Sequence, residues 1–209
     1  MAHLKLQGMQ PLFYSPLTVF ELEDSVALNA QMLKEIASLQ ANSPGLDRSN
    51  WRGWHSEDDF FERTEPGFQA LHAHILEAIQ TCTKNVSPDF DFSCYGIQAQ
   101  GWVNVLARGG LNTPHDHPNW TWSGCYYVSV PDGDKELSGS IEFFDTRTNV
   151  RTLTVDGAAC FASKFVMKPK AGMLLMFPSY LRHWVYPNES EQERVTIAFN
   201  ARFAKNVRS

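Results

Sequence analysis

The stretch SCYGIQAQGWVNVL, residues 93–106, is rich in Val, Ile, Tyr and Trp, and from here onward every apolar run reads as a strand. Further runs stand at Trp120–Val130, Gly139–Phe144, Cys160–Met167, Met173–Phe177, Arg182–Tyr186 and Arg194–Phe203. The pairs Gly109-Gly110, Asp132-Gly133, Asp156-Gly157, Ala171-Gly172 and Pro187-Asn188 separate them and read as turns. Short strands at such close spacing predict a sandwich or barrel.

Upstream of this region the period changes. Residues 11–22 (PLFYSPLTVFEL) carry two prolines and predict an edge strand or an extended lead-in. From Asp24, Val26, Leu28, Met32, Leu33, Ile36 and Leu39 recur mostly at three and four residues, the stripe of an amphipathic helix that Asn42-Ser43-Pro44-Gly45 ends. A second helix opens near Glu65-Pro66 and runs through Phe68, Leu71, Ile75 and Ile79 to about Thr83. On it, His72 and His74 point about 200° apart and cannot form a paired site. Asn50–Phe61 (NWRGWHSEDDFF) shows no period. With neither linker nor repeat, the chain reads as one domain over residues 1–209, mainly β with flanking helices, the helical segment occupying about residues 1–90.

Composition narrows the function classes. Of 209 residues, 43% are hydrophobic and 20% charged, a globular balance. A net charge of −5 supplies no basic face for nucleic acid or an anionic membrane. No apolar run approaches the ~18 residues of a membrane span, and no N-terminal signal is evident. Cys82, Cys94, Cys125 and Cys160 form no CxxC pair, so they read as free buried thiols in a reducing compartment, and the expected location is the cytoplasm.

The chemistry concentrates in Asn112-Thr113-Pro114-His115-Asp116-His117-Pro118. In an extended segment, side chains two apart project to one face, so His115 and His117 can converge on a metal while Asp116 faces away. His183, after the turn Pro178–Arg182, is a third ligand candidate. Arg194 opens a late strand with Thr196 on the same face, a pair that can grip a carboxylate through a bidentate bond and a hydroxyl contact. The plain alternative for Arg194 is a surface ion pair with Glu191 or Glu193.

The order HxH, distant His, RxT in a β-rich chain resembles the superfamily of 2-oxoglutarate- and Fe(II)-dependent oxygenases. More closely, residues 102–203 resemble a prolyl-hydroxylase-like subgroup from bacteria and phages, in the phrases Pro114–Pro118 (PHDHP), Ser123–Val128 (SGCYYV), Met176–His183 (MFPSYLRH) and Arg194–Asn200 (RVTIAFN). Upstream, Asn50–Ser56 (NWRGWHS) is similar to that subgroup's N-terminal signature. The resemblance implies a double-stranded β-helix (jelly-roll, cupin-like) fold and an Fe(II) centre. It also implies oxidative decarboxylation of 2-oxoglutarate coupled to hydroxylation of an unknown substrate. Carried over by position, His115 is the first metal ligand and His183 the distal one, and Arg194 binds the far carboxylate of 2-oxoglutarate with Thr196 assisting. Asn104 and, more weakly, Tyr127 take the place of polar co-substrate contacts. Beyond the metal ligands no catalytic residue is implied. Trp102, Trp120 and Trp184 are candidates to line the pocket.

One departure matters. The superfamily has a carboxylate two residues after the first histidine, where this chain has His117. Either His117 coordinates, giving a neutral three-His site, or a bulge at Pro118 lets Asp116 swing in; the first needs no special backbone. The missing carboxylate keeps a second enzyme in view, a three-His cupin-type dioxygenase that does not use 2-oxoglutarate. A metal- or ligand-binding β-sandwich without turnover is the non-enzymatic alternative. The substrate, a small molecule or a peptide, is not named by any pattern; residues 50–61 and the loop Pro131–Leu137 are the expected walls of its entrance. Exposed β edges admit a homodimer.

Overall fold

Apolar residues at helical spacing form α1 (Ser25–Asn42) and α2 (Pro66–Val86) in the computed structural model, which describes residues 3–131, 135–147 and 155–206. Phe68, Leu71, Ile75 and Ile79 lie fully buried on one face of α2, as their spacing requires. The stripe of α1 is narrower than expected. Met32 and Ile36 are buried, but Val26 and Leu33 are exposed and the polar Asn29 turns inward. Asn29 can be inside because its side-chain oxygen accepts a hydrogen bond from the Tyr126 hydroxyl at 2.7 Å, satisfying both buried groups.

The strands are β1 (Thr18–Glu21), β2 (Asn50–His55), β3 (Tyr95–His115), β4 (Trp122–Ser129), β5 (Ile141–Phe144), β6 (Lys164–Met167), β7 (Met173–Pro178), β8 (His183–Val185) and β9 (Arg194–Lys205). All pairings between them are antiparallel, in the order β1-β7-β4-β9-β3-β8-β5-β6, with β2 added on β3. β1 is the edge strand that the proline-bearing lead-in predicts. The expected turn at Asp132-Gly133 lies outside the described residues.

Two expectations fail for one reason. Gly109-Gly110 is not a turn that ends a strand at Leu106; β3 continues to His115. Along β2, the pairing of Trp51 with Leu111 is followed by that of Gly53 with Leu106, so an extended bulge occupies β3 between them. Gly109 there has φ +75°, and a Cβ on Gly110 would meet the Arg52 carbonyl at 2.7 Å. Glycine in a strand marks such a bulge as readily as a turn. The same irregularity hides β2 from a period search, because Arg52 in the middle of it has φ +53°.

Through the bulge β3 passes from one layer of the curled sheet to the other. Its first part, Tyr95–Leu106, pairs with β9, while Asn112 and His115 pair with β8. The helices cover the outer face of the first layer, where Met32, Ile36, Leu71 and Ile75 pack against Val103, Tyr126 and Ile197. Alternation along β4 and β9 sends their remaining side chains inward. Tyr127 joins Ile141, Phe143, Leu175, Phe177 and Leu181 in a second apolar cluster.

Among the described residues no helix is long and apolar enough to cross a membrane. All four cysteines are free, but only Cys82 is fully buried and Cys160 is exposed, so the expectation of four buried thiols holds in part.

Gly124 on β4 is a point of close approach. A Cβ there would meet the Phe199 ring at 2.2 Å and the Leu175 carbonyl at 2.8 Å. Gly124→Ala is therefore expected to lose roughly 1–3 kcal/mol of stability, the usual cost of overpacking a filled core, measured by denaturant unfolding.

Candidate metal centre and anion pocket

His115 ends β3 and His183 begins β8, and the antiparallel register sets the two residues directly opposite each other. His117 lies two residues beyond the strand, where its backbone N–H donates to the Ser179 carbonyl at 3.0 Å. That bond ties the HxH segment to the turn before β8. One ring nitrogen from each of His115, His117 and His183 lies within 4.8 Å of the others, close enough for three ligands of a single metal ion. Asp116 faces outward and is exposed.

Backbone acceptors orient two of the rings. His115 Nδ1 donates to the Thr113 carbonyl at 2.6 Å, and His183 Nδ1 donates to the Leu181 carbonyl at 2.8 Å. A carbonyl can only accept, so each Nδ1 carries the proton and each Nε2 keeps a lone pair. His117 Nδ1 faces the Asn200 side-chain amide at 3.4 Å. Burial lowers the pKa of all three imidazoles, with His115 and His117 further disfavouring charge on their neighbours; His117 falls to about 4 and His183 to about 3. The cluster is therefore neutral near pH 7, the state in which imidazole ligates a metal.

The same cavity contains Asn104, Tyr127, Arg194 and Thr196, the four other residues singled out in the sequence. Asn104 and Thr196 are opposite each other on β3 and β9, and Tyr127 and Thr196 on β4 and β9. Arg194 is only 2% exposed. Its Nε donates to the Gly139 carbonyl at 3.1 Å, and its guanidinium carbon stands 5.1 Å from the centre of the Tyr127 ring. Among the described residues no carboxylate pairs with Arg194. The alternative surface ion pair of Arg194 is absent among the described residues: Glu191 bonds Arg108 instead. Nearby, the Asn104 Oδ1 and the Tyr127 hydroxyl are buried without a hydrogen-bond partner among the described residues. Burial pushes the Tyr127 phenol up, so it stays protonated as a donor.

Several lining residues were not foreseen. Asn112 escapes period-2 reading because the β3–β8 register shifts between Asn112 and His115, so residues three apart reach one cavity. Cys125 and Ser49 also line it. Gly139 shapes it indirectly: φ is +64°, and a Cβ would lie 3.2 Å from Arg194 Cδ. Of the three tryptophans, Trp102 lines the cavity, whereas Trp120 lies beneath the Arg202 guanidinium and Trp184 packs on Tyr186. Trp184 turns away because it neighbours the inward His183 on the same strand. Of the expected entrance walls, the Asn50–Phe61 segment forms β2 and a short 3₁₀ turn, while residues 132–134 of the second lie outside the described residues.

The arrangement has two chemically distinct ends. Three neutral imidazoles can hold a divalent transition metal, and a buried, carboxylate-free guanidinium with hydroxyl donors can hold an anion. The orphaned Tyr127 hydroxyl fits an acceptor oxygen at that second end.

Residues 100–200 match the family described as "Putative 2OG-Fe(II) oxygenase". No curated protein matches the chain by sequence. Among solved structures, a prolyl-4-hydroxylase from Pseudomonas putida superposes with a TM-score of 0.62 at 13% identity, covering 89% of this chain and 91% of its own. A prolyl hydroxylase from Trichoplax adhaerens, in complex with a hypoxia inducible factor oxygen degradation domain peptide fragment, gives 0.63 at 14% identity, covering 88% and 82%. HygX from Streptomyces hygroscopicus, with nickel and 2-oxoglutarate bound, gives 0.60 at 11% identity, covering 90% and 82%. The fold is the double-stranded β-helix that the sequence resemblance implied.

The lowered imidazole pKa values make the metal-free protein sensitive to acid. An unfolded histidine takes up a proton near its ordinary 6.5, whereas folded His117 and His183 resist until about 4 and about 3. As pH falls below 6.5 the unfolded chain therefore binds more protons, and stability is lost progressively until the folded values are reached. Denaturant unfolding of metal-free protein at several pH values between about 7.5 and 4 is expected to show this decline, with a shallower slope in His183→Phe.

Proposed function

We propose that this chain is a 2-oxoglutarate- and Fe(II)-dependent oxygenase that holds Fe(II) on His115, His117 and His183 and seats the far carboxylate of 2-oxoglutarate on Arg194. The observation that carries the reading is the buried, carboxylate-free Arg194 opening on the same cavity as the three imidazoles. A buried cation without a counter-ion is costly, and a dianionic ligand removes that cost. A three-His dioxygenase that ignores 2-oxoglutarate gives Arg194 nothing to bind, and a β-sandwich without turnover explains neither end.

Bound Fe(II), with 2-oxoglutarate and dioxygen, supplies oxidative decarboxylation to succinate coupled to hydroxylation of a substrate. The chain's residues prepare for it. Arg194 and Thr196 orient the acid from one end, and the Tyr127 hydroxyl, raised in pKa and otherwise unbonded, donates to it. Asn104 offers its amide from the facing strand. Tyr127, Ile141, Phe177 and Val185 give the cavity apolar walls that exclude water and strengthen these contacts. The Trichoplax neighbour holds a peptide, and another HygX structure holds hygromycin B, a small molecule. The substrate proposed here falls within those two classes.

Protein loaded anaerobically with Fe(II) should develop a metal-to-ligand charge-transfer band on adding 2-oxoglutarate, and should form succinate once oxygen is admitted. Arg194→Met is expected to weaken 2-oxoglutarate binding by a hundredfold or more, since breaking a buried charge pair costs about 3–5 kcal/mol. Absence of the band in wild-type protein, or unchanged affinity in Arg194→Met, would overturn the assignment. For the third ligand, His117→Ala should abolish tight metal binding while Asp116→Ala leaves it unchanged, measured by calorimetry with Co(II).

A further inference from the structure

Backbone carbonyls fix the tautomer of two of the three clustered imidazoles, while the third depends on a side chain. His115 and His183 point Nδ1 at the carbonyls of Thr113 and Leu181, and these can only accept. His117 Nδ1 faces the Asn200 amide at 3.4 Å. Asn200 is 1% exposed, and in its only other side-chain hydrogen bond among the described residues its Oδ1 accepts from Ser123 Oγ at 2.6 Å, Ser123 being itself 1% exposed.

Nothing in this chain of three groups is a fixed donor or acceptor. The hydroxyl can play either part, a neutral imidazole nitrogen can carry or lack its proton, and the amide can turn over to exchange Oδ1 with Nδ2. Two arrangements fit the same heavy-atom positions. In one, the orientation the structure carries, Ser123 Oγ donates to Asn200 Oδ1 and Asn200 Nδ2 donates to His117 Nδ1, so the imidazole proton sits on Nε2 and blocks the lone pair a metal needs. In the other, Asn200 Oδ1 accepts from His117 Nδ1–H, Nδ2 donates to Ser123 Oγ, and Nε2 is free. The two differ by the direction of every hydrogen bond in the chain.

We infer that Asn200 is the positioning residue of the third imidazole: with its amide turned over and anchored through Nδ2 on Ser123 Oγ, its Oδ1 selects the Nδ1–H tautomer of His117 and aims Nε2 at the metal. The inference rests on His117 being a ligand. It makes His117 the one imidazole of the cluster whose orientation and basicity a side-chain substitution can tune, because the acceptors of His115 and His183 belong to the main chain. An anionic acceptor strengthens a histidine ligand more than a neutral one does.

Calorimetry with Co(II) tests this. Removing an outer hydrogen-bond partner typically weakens metal binding about 10–100-fold, which is the loss expected for Asn200→Leu. Asn200→Asp keeps an acceptor in place and is expected to bind Co(II) at least as tightly as wild type. In Zn(II)-loaded wild-type protein the His117 Nδ1 proton, bonded to a buried amide, should exchange with solvent far more slowly than in a free imidazole, and remain slow in Asn200→Asp. If Asn200→Leu binds Co(II) within twofold of wild type while His117→Ala does not bind, the positioning role is wrong and the ligand reading stands. If His117→Ala binds as tightly as wild type, the ligand reading itself fails. Rapid exchange of the Nδ1 proton in the wild-type protein overturns the positioning role whether or not Asn200→Leu folds.

Discussion

The backbone ladder of β3 is the constraint on which the site depends. Along its first part it is hydrogen-bonded to β9, opposing Asn104 to Thr196 and Leu106 to Arg194; at its end it meets β8, opposing His115 to His183. A slip of one residue on either side would reverse the facing of every side chain on that strand. The intervening bulge lets one continuous strand serve both layers, so the histidine cluster and the arginine share a cavity. The helices contribute at one remove. By filling the outer face against Val103 and Ile197, they fix which face of β3 and β9 is left to line the interior.

The strands that build the cavity were largely legible, and the residues singled out in the sequence meet in it. Alternation along RVTIAFN separates core from cavity at Arg194 and Thr196, and β9 follows that pattern. Four fully buried positions on α2 fell on the expected face. What escaped shares a physical cause, since period-2 reading assumes an unbroken pleat. Gly109-Gly110 reads as a turn because glycine tolerates positive φ equally in turns and bulges. Arg52 conceals β2, and the register shift before His115 conceals Asn112.

Long-range partners were a second blind spot. Ser123 and Asn200 are 77 residues apart, and each looks like an ordinary strand residue until β4 and β9 pair and place them face to face. Gly139 is similar: its role is visible only against Arg194. The inward turn of Asn29 in α1 likewise follows from Tyr126, a partner on a strand far along the chain. Sequence periodicity reports burial well and says little about which buried polar groups satisfy one another.

The electrostatics of the cavity couple its two ends. Among the described residues that line it, Arg194 is the one with a formal charge, because burial keeps the three imidazoles neutral. A site with a carboxylate ligand would offset half the charge of a divalent metal before any co-substrate arrived. Here nothing among the lining residues would do so, and a metal bound as proposed would add its charge to that of the guanidinium within one low-dielectric space. Each is then stabilised by a dianion that touches both. Linkage requires that a ligand favoured by the metal favours the metal by the same factor, so 2-oxoglutarate and Fe(II) should each tighten the binding of the other. If His117 takes the place of a carboxylate ligand as proposed, metal retention shifts from the protein's own ligands towards the co-substrate. On that reading the contact between His117 and Asn200 gains weight, because among the described residues it is a side-chain contact through which the donor strength of the third imidazole could be adjusted, whereas His115 and His183 rest on main-chain carbonyls.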